Sequence, residues 1–86
     1  MSRTEEIRHA LQHVFHPAQL EVTDESEQHR GHAGYQEGGE SHFHVVIRAE
    51  AFAGQSRIAR HRSIHSALGA ALIAKIHALS LDVDVP

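Results

Sequence analysis

Apolar positions along this 86-residue chain change period several times, and each change marks an element. Ile7, Ala10, Leu11, Val14 and Phe15 recur at three- and four-residue steps, which predicts an amphipathic helix. Ser2 and Glu5 have the spacing of a capping box, so the helix starts there, and Pro17 stops it. Leu20 and Val22 then alternate with Glu21 and Thr23 up to Asp24, the pattern of a strand with one buried face. Phe43, Val45 and Ile47 alternate with His44, Val46 and Arg48 in a second strand. Residues 50–54 turn the chain, with Phe52 as a core anchor. Ser56 is placed to cap a short helix containing Ile58 and Ala59, and Ser63 to cap a longer one. In that longer helix Ile64, Ala67, Leu68, Ala71, Leu72 and Ile76 form a core-facing stripe. Gly69 interrupts the stripe at a cost of about 1 kcal/mol relative to alanine, and the expected return is close packing. Leu79, Leu81, Val83 and Val85 alternate with Ser80, Asp82 and Asp84 in a third strand.

The order helix, strand, strand, helix, helix, strand predicts an α+β two-layer sandwich with helices on one face of a three-stranded sheet. The first two strands pair antiparallel, and the helical crossover between the second and third allows a parallel pairing in a mixed sheet. Residues 1–86 make one domain, since a chain of this size buries only about 60–65% of its unfolded surface and supports one modest core. Residues 26–41 are too polar to pack and hold four of the six glycines. A loop of that length in so small a domain is functional or disordered. His29 and His32 lie in it beside Gly31 and Gly34, whose backbone freedom would let a ligand swing towards a partner.

Composition narrows the chemistry. No cysteine is present, so the chain has no disulfide and no thiolate for zinc, iron–sulfur or nucleophilic work. That fits a reducing compartment. The first residues lack the apolar run of a signal peptide, and no stretch approaches the roughly 20 apolar residues of a membrane span, so a cytosolic protein is expected. The net charge of −3 is segregated. Residues 1–40 carry eight acids and three bases, whereas residues 41–77 carry Arg48, Arg57, Arg60, Arg62 and Lys75 against Glu50 alone. Such a basic helical region is either a solvated face or a surface for nucleic acid or an acidic partner.

Ten histidines make the charge of the chain unusually sensitive to pH. His9, His13 and His16 share a helix face, and such a pair can hold a transition metal, but no third ligand is evident. His42 and His44 fall opposite Phe43 and read as exposed or sheet-packed. His61 and His65 are one helical turn apart with no carboxylate placed to orient either, and no nucleophile–base pair is found, so no catalytic residue is assigned.

Several short motifs occur together in a fixed order. They are Leu20 to Asp24 with Glu25-Ser26, the loop His29-Arg30-Gly31-His32-Ala33-Gly34, and Glu40-Ser41-His42-Phe43 followed by Val45-Val46-Ile47. The stretch FAGQSRIARHRSIHSAL, centred on Arg60-His61-Arg62, and Ile76-His77-Ala78-Leu79-Ser80-Leu81 complete the set. Together they resemble the BolA family over nearly the whole chain. The resemblance implies a class II KH-like fold. It also implies pairing with a monothiol glutaredoxin of the CGFS type, with a 2Fe–2S cluster bridged between the two proteins and glutathione, for cluster trafficking or iron sensing. The C-terminal histidine ligand of that family maps onto His77, and its more variable loop ligand onto His32. Members are also considered DNA-binding transcriptional regulators.

The residues are compatible with that implication. Histidines replace two of the four cysteines on one iron in Rieske centres, so a thiol-free chain can supply a half-set of ligands while a partner brings sulfur. No cluster is expected in the isolated protein. His77 reads as standing at a helix C-terminus, where the dipole favours the imidazolium, while nearby Lys75 opposes it. Metal binding needs the neutral ring and so weakens as pH falls through the histidine titration. The alternative reading is a nucleic-acid-binding regulator using residues 57–65 as a helix-turn-helix, with Arg57, Arg60, His61 and Arg62 at the interface. Against it, Gly54 is the only glycine between the second strand and the long helix, so the GxxG clamp of KH domains is missing. The same arginines serve equally to hold the helical turn or to meet the glutaredoxin.

Overall fold

The computed structural model describes residues 2–25 and 42–86. The loop histidines His29 and His32 lie outside them. Helix α1 spans Arg3–Phe15 and starts where its cap requires, with the Ser2 hydroxyl accepting from the Glu5 N–H at 3.2 Å. It ends before Pro17, because the residue preceding a proline avoids helical geometry. His16 instead takes a left-handed conformation at φ 45°, and its N–H closes the last turn onto the Gln12 carbonyl at 3.1 Å.

Strands β1 (Gln19–Asp24) and β2 (His42–Arg48) pair antiparallel, with Val22 opposite Val45. Strand β3 (Ala78–Asp84) lies parallel to β2 on its other side, with Val45 opposite Leu81. The sheet order is therefore β1-β2-β3, mixed as expected. Residues directly opposite one another share a face. One face carries Leu20 and Val22, then Phe43, Val45 and Ile47, then Leu79, Leu81 and Val83. The helices cover this face through Ile7, Leu11, Ile64 and Leu68. Phe52, in a 3-10 turn at Glu50–Phe52, is fully buried, and its ring meets Phe15 at 4.8 Å between centroids. The other face is polar. His44 Nδ1 lies 2.6 Å from the Ser80 hydroxyl, and Arg48 pairs with Asp82 at 3.1 Å.

The helical region departs from expectation. Helix α2 runs unbroken over Arg57–Leu68. Ser56 caps it, accepting from the Ala59 N–H at 3.1 Å. Ser63 caps nothing: it sits mid-helix and returns its hydroxyl to the Ala59 carbonyl at 3.0 Å. The break falls instead at Gly69, and α3 is only Ala70–Ile73. Gly69 is not there for close packing either, since a Cβ would meet nothing within 4 Å. What the position demands is its backbone, at φ 85° and ψ 154°, a region open essentially to glycine alone.

Arg60 ties α2 to the rest of the fold. Its guanidinium donates to the Phe52 carbonyl at 3.2 Å and the Val83 carbonyl at 3.4 Å, and pairs with the Asp84 carboxylate at 3.2 Å. Asp84 also accepts from the Val85 backbone N–H at 2.8 Å. That bond is the largest influence and, helped by Arg60 and Arg48, holds the carboxyl below the ordinary range against the opposing effect of desolvation.

Two outcomes are expected. Gly69→Ala should destabilise the protein by about 1–3 kcal/mol in denaturant unfolding, because backbone strain outweighs the gain in helix propensity. Equal or greater stability would show that the glycine conformation is dispensable. Asp84 titrates lower in the folded chain than in the unfolded one. Its contribution is therefore fully present above the unfolded carboxylate range, about pH 4, and is lost as pH falls through the folded value. Asp84→Asn should flatten the acid limb of the stability–pH curve, while an unchanged limb would mean the contacts of Asp84 do not contribute.

Candidate functional site

His77 is exposed and stands immediately before β3. It is not at a helix C-terminus, because α3 ends at Ile73 and residues 74–77 form the connection into the strand. The dipole argument for its imidazolium therefore lapses, since that effect fades within the last turn of a helix. The connection is held from outside by α1: the Arg3 guanidinium donates to the Lys75 carbonyl at 3.0 Å. Ile76, just before the histidine, packs against the core.

The parallel ladder sets what His77 meets. His42, the first residue of β2, lies opposite Ala78, the first residue of β3. The residue before Ala78 thus comes beside His42, and the two imidazoles face each other with centroids 5.0 Å apart at a tilt of 55°. His42 is buried, at 4% exposure. Its carbonyl accepts from the Glu25 N–H at 2.7 Å, so its backbone is held from the β1 side as well. An ordered, largely covered ring thus stands behind an exposed one.

Spacing in the chain does not reveal this pair, since locally His42 reads only as exposed or sheet-packed. The signal was available: both strands open on a histidine-bearing motif, Ser41-His42-Phe43 and Ile76-His77-Ala78, and parallel strands place their beginnings together. His9 and His13 differ. Both are exposed, and their rings stack at 7° with centroids 6.5 Å apart. Among the described residues no group of three or more His, Asp or Glu side chains converges as a metal site. His42 and His77 could together give two neutral nitrogen donors, so any metal they share needs further ligands from elsewhere.

The basic residues divide. Arg60 turns inward to Phe52, Val83 and Asp84, so it anchors the fold and is not a free contact. Arg57, His61 and Arg62 stay on the outer side of α2, where they line a shallow hollow of about 430 Å³ with Ile58 and His65. Ile58 is 65% exposed there, an unusual position for a large apolar side chain. Among the described residues neither Arg57 nor Arg62 is in an ion pair. A second cleft of about 420 Å³, between α2 and β3, is lined by Arg57, Arg60, His61 and Asp82 among others. No helix-turn-helix exists over residues 57–65, which are one continuous helix. Among the described residues no helix is long and apolar enough to cross a membrane.

Comparison with known proteins gives a consistent result. The family described as BolA-like protein matches residues 11–86. The "uncharacterized protein in cobS 5'region" of Sinorhizobium sp is 49% identical over 87 residues, covering 100% of this chain and 94% of that protein. The DNA-binding transcriptional regulator BolA of Escherichia coli is 43% identical over 77 residues, covering 90% of this chain and 70% of that protein. Among solved structures, the BolA domain of SufE1 from Arabidopsis thaliana matches with a TM-score of 0.85 at 41% identity, covering 100% of this chain and 94% of that one.

Proposed function

The chain belongs to the BolA family, and from that premise we propose that it is an adaptor for a monothiol CGFS-type glutaredoxin, sharing a bridging 2Fe–2S cluster with it. The observation that carries this reading is His77, an exposed imidazole on an ordered strand entry in a chain without a single cysteine. Iron–sulfur clusters are held mainly by thiolates, yet two histidines suffice on one iron. This chain then contributes nitrogen, while the glutaredoxin cysteine and glutathione contribute sulfur. Bound there, the cluster would supply electron-accepting and iron-carrying capacity. The chain's own residues hold and orient the donor: β3 fixes the backbone beside His77, and Arg3 steadies the turn before it. His32 is the loop ligand that the resemblance assigns.

A second reading has its own support. The outer face of α2 carries Arg57, His61, Arg62 and His65 around Ile58, and the Escherichia coli relative is a DNA-binding transcriptional regulator by name. Phosphates would meet unpaired arginines on this face, and association would be salt-dependent. Residues 57–65 being one helix, such binding would use a helix face rather than a helix-turn-helix.

Mixing the protein with a CGFS glutaredoxin, glutathione, iron and sulfide should give a visible spectrum distinct from that of the glutaredoxin alone, and His77→Ala should abolish the difference. A variant spectrum identical to wild type would remove the assignment. For the second reading, duplex binding near physiological salt should weaken in Arg57→Ala and Arg62→Ala, each lowering the log–log salt slope by about 1. Binding that is absent near physiological salt, or unaffected by either change, rules the α2 face out.

A further inference from the structure

Strand β3 is an edge strand, paired with β2 on one side and, among the described residues, with nothing on the other. We propose that this free edge docks an extended, acidic peptide segment of a partner protein, which adds a further strand to the sheet. The proposal is independent of the cluster reading and of His77.

The register shows which backbone groups the edge offers. In a parallel ladder, alternate residues turn their backbone groups to the neighbouring strand. The Ala49 N–H donates to the Asp84 carbonyl at 3.1 Å, which places Asp84, and with it Asp82 and Ser80, in the inward set. Leu79, Leu81 and Val83 therefore point their N–H and C=O groups outward. Arg60 donates to the Val83 carbonyl at 3.4 Å and closes that end of the edge. The backbone groups of Leu79 and Leu81 and the N–H of Val83 are left for an added strand to bond.

The side chains leave room for such a strand. Leu79, Leu81 and Val83 are only partly covered, whereas Phe43, Val45 and Ile47 beside them are buried, so the helix layer ends short of the edge. Edge strands are commonly defended by charge. Here Asp82 is paired with Arg48 and Asp84 with Arg60, so both carboxylates are neutralised. The cleft of about 420 Å³ between α2 and β3 touches Leu81, Asp82 and Val83. Consecutive strand residues face opposite ways, so a cleft that touches all three runs along the strand edge.

Charge selects the occupant. Arg57 and His61 form the opposite wall of this cleft, and among the described residues Arg57 is in no ion pair. A carboxylate on the helix-facing side of the added strand meets that guanidinium in a charge-assisted hydrogen bond. In strand addition, main-chain bonds supply affinity and alternate side chains supply selectivity. A second copy of this chain fits less well. Paired through its own β3, with its helices on the same side, it brings Leu79, Leu81 and Val83 to that side and no carboxylate to Arg57. The other edge of the sheet, β1, carries Glu21 and Asp24, which disfavour an acidic neighbour.

The probe is a seven-residue peptide, matched to β3 in length, with glutamate second and sixth, isoleucine in the centre and threonine elsewhere. Its pattern is the same in both directions. Titrated into nitrogen-15-labelled protein, it should shift the amide resonances of Leu79, Leu81 and Val83 and slow their hydrogen exchange, changing Ser80 and Asp82 less. Arg57→Ala should weaken binding about three- to fivefold, and lysine in place of both glutamates about tenfold. No saturable shift at about 1 mM peptide, or equal binding of the lysine peptide, overturns the proposal. Shifts confined to Arg62 and His65 on the outer face of α2 overturn it as well. Shifts of the β3 amides on concentrating the protein alone assign the edge to a second copy, and displacement of the peptide by duplex DNA assigns it to nucleic acid. Either result removes the acidic peptide as the occupant.

Discussion

The parallel ladder between β2 and β3 governs both the core and the site. On one face it aligns Phe43 with Leu79, Val45 with Leu81 and Ile47 with Val83, which gives the helices a continuous apolar floor. At its starting end the same register sets His42 beside the residue that precedes β3. A slip of one residue would turn every side chain of β3 to the opposite face. It would expose Leu79, Leu81 and Val83 and part the two imidazoles. Hydrophobic burial therefore enforces the positions of polar groups that contribute little to stability themselves. Each apolar side chain removed from water stabilises by about 1.5–3 kcal/mol, well above any single surface ion pair such as Arg48–Asp82.

Sheet topology and most element boundaries were legible because strand alternation and helix caps are local signals. Leu20 to Asp24 and Leu79 to Asp84 alternate cleanly, Phe43 to Arg48 does so except at Val46, and all three lie in strands. Ser2 and Ser56 have the residue type and spacing of caps, and both accept the expected backbone N–H. Ser63 has the same residue type but no break before it, and nothing local distinguishes a cap from a serine bonded back into its own helix. Gly69 was visible as a cost but not as a break, because the pattern on either side continues at helical spacing. Its positive φ is a property of the folded chain.

The site was legible in part. His77 stood out by its motif, and it is exposed at the strand entry. His42 did not, since its relation to His77 spans the whole helical crossover and depends on pairing register rather than on spacing in the chain. Arg60 illustrates the reverse case. Within a basic run it resembles Arg57 and Arg62, yet its guanidinium is satisfied by two carbonyls and a carboxylate inside the fold. Charge pattern locates a basic surface but does not divide its members into those that face solvent and those that hold the helix down.

The contact from Arg3 to the Lys75 carbonyl joins residues 72 positions apart in the chain. Because that carbonyl belongs to the short segment leading into His77, the first turn of α1 acts as a distant strut beneath the histidine. The first turn of α1 thus ties down the approach to the histidine from a place that no local view of the motif would include.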